Sequence, residues 1–132
     1  MAALAYVDAS ALVKLVQREP ETAALENDLA HRDGLICSRL GATELRRACA
    51  RAGHRRLLQQ VDDVLESMYL VEVSPAILEA AGRLTPRLLR TLDAIHLATL
   101  QSFDEPVDLI TYETRLATAA KAHGLATLAP GT

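Results

Sequence analysis

The chain has 132 residues, the length of one compact domain and too short for two ordinary ones. Half of its residues are apolar but only 3% are aromatic, with no Trp, so Ala, Leu and Val must fill the core, and a disordered or collagen-like chain is excluded. Fourteen Lys and Arg against 17 Asp and Glu leave a formal charge of -3, which excludes a DNA-coating protein and confines any grip on a polyanion to a local patch.

Leu4 to Val7 is a short apolar run halted by Asp8, which predicts a buried strand. Ser10 is expected to cap a following helix that carries Leu12, Val13 and Val16. Past Pro20, Glu21 to Ala30 reads as a second helix and Leu35 to Cys37 as a second strand. Ala42 to Ala52 and His54 to Ser67 read as helices around the breaker Gly53, and Leu70 to Val73 as a third strand. Ser74-Pro75 marks a helix start, with Pro in the first turn, and Pro86 is expected to end that helix. Thr91 to Leu100 is a further apolar-periodic segment. Asp108 to Thr111 reads as a strand, Tyr112 to His123 as a helix stopped by Gly124, and Leu125 to Leu128 as the last strand. Alternating strands and helices predict an α/β fold over residues 1–132, with a central, mostly parallel sheet of four to five strands and helices on both faces.

Cys37 and Cys49 form no C-x-x-C pair, and the dispersed histidines add no zinc spacing, so a reduced, cytoplasmic setting is expected. The start MAALAYVDAS lacks the charged opening and long apolar centre of a secretory signal. No uncharged apolar stretch approaches the roughly 18 residues that cross a bilayer, so no membrane association is expected.

Open parallel sheets bind ligands beyond the carboxyl ends of their strands. Asp8 follows the first strand, and Thr111 and Glu113 follow the one beginning near Asp108, so these residues are expected over one sheet edge. Asp93 stands in the first turn of its helix, where a carboxylate also suits the helix dipole, and Glu44 stands on a helix where a lone Glu is ordinarily solvated. Four carboxylates from separated segments repel one another at one edge unless a cation sits between them. Oxygen ligands without a His or Cys cluster select Mg²⁺, with Mn²⁺ as a substitute, over zinc. Such a cation polarises a phosphoryl oxygen and activates water, which favours phosphate chemistry.

The segments YVDASALVK, ATELRRA, LDAIHLA and ITYETRLATAA resemble, in order and spacing, the motifs of PIN-domain ribonucleases, and most closely those of VapC-type toxins. The resemblance runs from Tyr6 to about Leu128. It implies a Mg²⁺-dependent endoribonuclease that hydrolyses RNA by metal-activated water, with a cognate antitoxin partner and a homodimer or a higher toxin-antitoxin complex. By the same resemblance Asp8, Glu44 and Asp93 match the acidic metal-site positions, Ser10 the hydroxyl beside the first acid, and Thr111 the strand-end hydroxyl. Glu113 stands where many relatives have Asp; it either reaches the metal, through water if needed, or is a helix-start acid. Arg115 matches a basic residue of the same motif, suited to an acid or a phosphate.

Arg46, Arg47, Arg51, Arg55 and Arg56 cluster after Glu44, and Arg83, Arg87 and Arg90 would share one face of any helix continuing past Pro86. Each set is either an RNA phosphate grip or a solvated face. Twelve of the 14 basic residues are Arg, which permits bidentate phosphate contacts. Tyr6, Tyr69, Tyr112 and Phe103 furnish no broad stacking platform, so backbone grip and RNA shape are expected to govern recognition. His96 reads as a packing or hydrogen-bonding residue rather than a general base. The alternative to a nuclease is a catalytically weak PIN-like module that binds RNA or protein.

Overall fold

The computed structural model describes residues 1–53 and 55–132; His54 and the side chains of Arg55 and Arg56, and with them two of the arginines singled out above, lie outside the described residues. Five strands form one sheet: β1 (Leu4–Val7), β2 (Gly34–Ser38), β3 (Tyr69–Val71), β4 (Val107–Ile110) and β5 (Thr127–Leu128). Their order is β3-β2-β1-β4-β5, and every pairing is parallel. The chain steps outward on one side of β1 through β2 and β3, then returns to its other side as β4. The line between β1 and β4 is therefore the switch point at which neighbouring connections diverge, the place where such sheets bind ligands.

Between these strands lie α1 (Ala9–Val16), α2 (Thr22–Ala30), α3 (Arg39–Ala52), α4 (Arg55–Glu66), α5 (Pro75–Gly82), α6 (Thr91–Gln101) and α7 (Thr114–Ala122). Side chains of a strand alternate between faces, and the core divides accordingly. Ala5, Val7, Cys37 and Ile110 pack with Leu12, Leu25, Leu45 and Val61 of α1 to α4. Tyr6, Ile36 and Leu109 pack on the opposite face with Leu97 of α6 and Leu116 of α7. Each fully buried Leu contributes about 1.5–3 kcal/mol of burial free energy, and no Trp is needed. Helix α5 joins from outside, its Ile77 and Ala81 against Ala94 and Ala98 of α6.

The helix boundaries have local causes. Ser74 accepts from the Ile77 amide with Pro75 at the first helical position, as its sequence signature predicts. Ser38 caps α3 by accepting from Gly41, and α3 ends at Gly53, whose φ of 75° is left-handed. Two expectations are corrected. Asp8, not Ser10, is the N-cap of α1 and accepts from the Ala11 amide, which leaves the Ser10 hydroxyl free for other partners. Helix α5 stops at Gly82, so Arg83, Arg87 and Arg90 share no helical face; Arg83 ends α5, Arg90 precedes α6 and Arg87 lies in the connection.

At the amino edge of the sheet a buried ion-pair network fastens the chain start. Arg32 donates to Asp28 at 3.0 Å, to Asp108 at 2.5 Å and to the Ala2 carbonyl at 2.7 Å, while the Ala2 amide donates to Asp108. Burial raises the Asp108 carboxyl, but the Arg32 guanidinium and the Ala2 amide outweigh it, and the group ends below the usual carboxylate range. Among the described residues, no helix is long and apolar enough to cross a membrane, and Cys37 and Cys49 are buried free thiols, Cys37 pushed up to about 12 by burial.

Candidate active site

The register of β1 and β4 pairs Val7 with Ile110, so Asp8 and Thr111 leave the sheet side by side at its carboxyl edge. The Asp8 amide still donates to the Ile110 carbonyl at 3.2 Å, which extends the pairing to the acid itself. Thr111 Oγ1 donates to Asp8 Oδ2 at 2.5 Å, and Ser10 Oγ donates to Asp8 Oδ1 at 2.6 Å. Both hydroxyls are held from behind by the β4–α7 turn. The Tyr112 amide donates to Ser10 Oγ and the Glu113 amide to Thr111 Oγ1. With the Ala11 amide, Asp8 accepts three hydrogen bonds, all from neutral donors.

Asp8 is only 4% exposed. Its burial raises its pKa, and the Ser10 and Thr111 hydroxyls and the Ala11 amide lower it by less, so the group stays above the ordinary carboxylate value.

A cleft of about 420 Å³ opens in front of this acid. Asp8, Ser10, Glu44, Asp93 and Glu113 all line it, together with His96, Arg51, Arg90 and Arg115. Their positions follow from helical periodicity. On α3, Glu44, Ala48 and Arg51 recur at four and three; on α6, Asp93 and His96 are three apart. Asp93 is 7% exposed and accepts from Arg115 Nε at 3.1 Å. Glu113 sits at the start of α7 without capping it, and its carboxylate is 3.9 Å from the Arg115 guanidinium. Glu44 Oε1 is 2.7 Å from His96 Nε2. Thr111 is 2% exposed and stands behind Asp8, off the cleft wall.

Of the arginines noted in the sequence, Arg51, Arg90 and Arg115 reach the cleft. Arg46 instead pairs with Asp62 across α3 and α4 at 2.9 Å, in a separate hollow, and Arg47 is exposed outside the cleft lining. Two features escaped sequence reasoning. Tyr6 Oη is hydrogen bonded to His96 Nδ1 at 2.7 Å, and Arg90, noted for a helical face, serves at the cleft. A phenol placed mid-strand in an otherwise aliphatic run was the available signal for Tyr6.

The donor set suits a hard divalent cation. Four carboxylates and the Ser10 hydroxyl offer oxygen, and His96, the one histidine on the cleft wall among the described residues, has both ring nitrogens engaged. Asp8 is buried with neutral donors alone, and a cation in the cleft would supply the charge they lack. Among the described residues, no group of three or more His, Cys, Asp and Glu side chains stands together as a cluster that holds a metal ion. Mg²⁺ binds through one or two carboxylates and keeps several waters.

The chain is similar to known proteins along nearly its whole length. The model of the PIN domain matches residues 5–122. Ribonuclease VapC46 of Mycobacterium tuberculosis is 43% identical over 137 residues, an alignment that covers 98% of this chain and 99% of the relative. The crystal structure of the sarcin-ricin loop cleaving toxin VapC20 of M. tuberculosis superposes with a TM-score of 0.73 at 17% identity, covering 96% of this chain and 99% of the other. That of VapBC2 of Rickettsia felis, bound to a DNA fragment from their promoter, superposes with a TM-score of 0.67 at 13% identity, covering 95% and 97%. By the match of the PIN-domain model to residues 5–122 and the 43% identity to a relative along nearly its whole length, the chain belongs to the PIN-domain family.

Proposed function

We propose that residues 1–132 work as one PIN-like domain, a Mg²⁺-dependent endoribonuclease that serves as the toxin of a toxin-antitoxin pair. The observation that carries this reading is the gathering of Asp8, Glu44 and Asp93, from three separate elements, on the wall of one cleft at the switch point. The 43% identity to a protein named a ribonuclease supports the same reaction class.

A divalent cation, Mg²⁺ or in its place Mn²⁺, supplies Lewis-acid polarisation of the phosphoryl group and a lowered pKa for the attacking water when bound. Asp8 and Asp93 are the residues that would hold it, with Glu44 acting through water and Glu113 within reach of the same cleft. Ser10 and Thr111 order the polar shell, their hydroxyls fixing the Asp8 carboxylate. Arg51, Arg90 and Arg115 offer guanidinium forks to RNA phosphates around the acids. Hydrolysis by water leaves a 5′-phosphate and a 3′-hydroxyl, the ribose 2′-hydroxyl taking no part as nucleophile. The partners that fit are RNA, a cognate antitoxin and a second copy of this chain, met in the cytoplasm.

The test is cleavage of structured RNA in the presence of Mg²⁺, of EDTA, and by Asp8→Asn and Asp93→Asn. Cutting is expected to need Mg²⁺ and to fail in both variants. Undiminished cutting by either folded variant overturns the assignment.

A further inference from the structure

The cleft acids differ in what stands behind them. Asp8 leans on two hydroxyls and Asp93 on an arginine, whereas Glu44 leans on a histidine. His96 joins Glu44 Oε1 through Nε2 and Tyr6 Oη through Nδ1, both at 2.7 Å. Tyr6 is fully enclosed in β1, its ring edge-on to the imidazole with planes 80° apart and centroids at 5.9 Å. The three side chains form a file from the middle of the sheet to the cleft wall.

The direction of the hydrogen bonds follows from proton count. A phenol has one proton to give, and among the described residues His96 Nδ1 is the group hydrogen bonded to the Tyr6 hydroxyl. Tyr6 is fully enclosed, and a phenol keeps its proton at neutral pH. Nδ1 is then the bare, accepting nitrogen and Nε2 bears the hydrogen, aimed at a carboxylate that can only accept. The opposite tautomer would set two acceptors against each other at Glu44 and take from the Tyr6 proton the acceptor it has at Nδ1.

We propose that Tyr6 and His96 are positioning residues for Glu44: the phenol selects the Nε2–H tautomer of His96, and that N–H holds the Glu44 carboxylate on the cleft wall. The role rests on the nuclease reading of the cleft. The bond between one ring nitrogen and its partner sets what the other nitrogen does, as in histidines that support metal-site ligands.

The full-length chain, labelled with ¹⁵N and kept in metal-free buffer at neutral pH, gives the tautomer directly by NMR correlation of the ring nitrogens with the ring protons. The parent is expected to show hydrogen on Nε2 of His96 and a bare Nδ1, and Tyr6→Phe to show mixed tautomers. Hydrogen on Nδ1 in the parent, or an unchanged spectrum in Tyr6→Phe, overturns the inference. In cleavage with Mg²⁺, His96→Leu is expected to lose about 10- to 100-fold in kcat with KM little changed. His96→Gln, whose amide can still donate to Glu44, is expected to recover most of that loss. Equal losses in the two variants overturn the positioning role. Full-rate cleavage by Glu44→Ala removes Glu44 from the reaction and overturns the role by a result separate from the ring spectrum.

Discussion

Thr111 donates its hydroxyl hydrogen to Asp8 across 103 residues of chain, at 2.5 Å. The bond closes the seam between β1 and β4 where the sheet changes direction. It also sets the Asp8 carboxylate facing the cleft with its rotamer fixed, the preorganisation a metal or phosphate site requires. Thr111→Val keeps the shape of the side chain and removes the donor. The expected result is a loss of about 1–3 kcal/mol in stability, read by urea denaturation, and a lower affinity for Mn²⁺ read by calorimetry. Unchanged Mn²⁺ affinity contradicts the role given to this hydroxyl.

Asp8 itself is held at a cost. Its carboxyl titrates near 3.8 when exposed and higher in the fold, so the folded chain keeps this proton longer than the unfolded one. The stability it contributes is full below about pH 3.8 and is lost as pH rises through the folded value. Asp8→Asn keeps an N-cap acceptor and removes the charge. In metal-free buffer it is expected to melt above the parent at neutral pH, with the advantage shrinking towards about pH 4. Thermal scans at the two pH values check this, and a variant that melts below the parent at neutral pH contradicts it.

The network at the amino edge carries the opposite sign. The folded Asp108 carboxyl lies below its ordinary value, so its stability is present above about pH 3.8 and is lost as pH falls through the folded value. The Arg32 and Asp108 side chains are 0% and 8% exposed; removing Arg32 leaves Asp108 buried without its cation, whereas removing Asp108 leaves Arg32 paired with Asp28. Arg32→Ala is expected to lose about 3–5 kcal/mol in urea denaturation and Asp108→Ala less, with the cleavage rate per folded molecule unchanged. A loss below about 1 kcal/mol would place the pair among surface ion pairs.

Arginines at the cleft and away from it are expected to separate in RNA binding. Arg51→Ala and Arg90→Ala, at the cleft, are each expected to remove one phosphate contact, weakening binding severalfold and reducing the steepness of its salt dependence. Arg46→Ala removes a cation already paired with Asp62 in another hollow and is expected to change both much less. Titrations against a catalytically silent parent at several salt concentrations measure this. Equal effects of all three would mean that RNA spreads over the whole of α3.

Glu113 offers a gain rather than a loss. It occupies the N-cap of α7, and its side chain accepts no cap hydrogen bond. Asp at an N-cap has the shorter reach that such a bond needs, so Glu113→Asp is expected to add about 0.5–1 kcal/mol, read by denaturation. No gain would show that the extended backbone there does not admit the cap.

The fold and the acids were legible because their signals are local. Apolar runs stopped by an acid or a turn located β1 and β4, and two strand ends at one sheet edge brought Asp8 and Thr111 together on paper before any contact was known. The partners of Glu44 and Asp93 were not legible. Glu44 meets His96 across 52 residues and Asp93 meets Arg115 across 22, and such pairs are chosen by how α3, α6 and α7 dock on the sheet. The same docking left Arg46 facing α4 and turned Arg51 to the cleft, although one helix carries both. Asp8 displaced Ser10 as the cap because the chain turns into α1 immediately at the strand end, a choice of backbone dihedral that residue type alone leaves open. Sequence by itself determined which groups could do the chemistry; tertiary structure decided which of them face one another, because side-chain partners are set by packing between elements and not by distance along the chain.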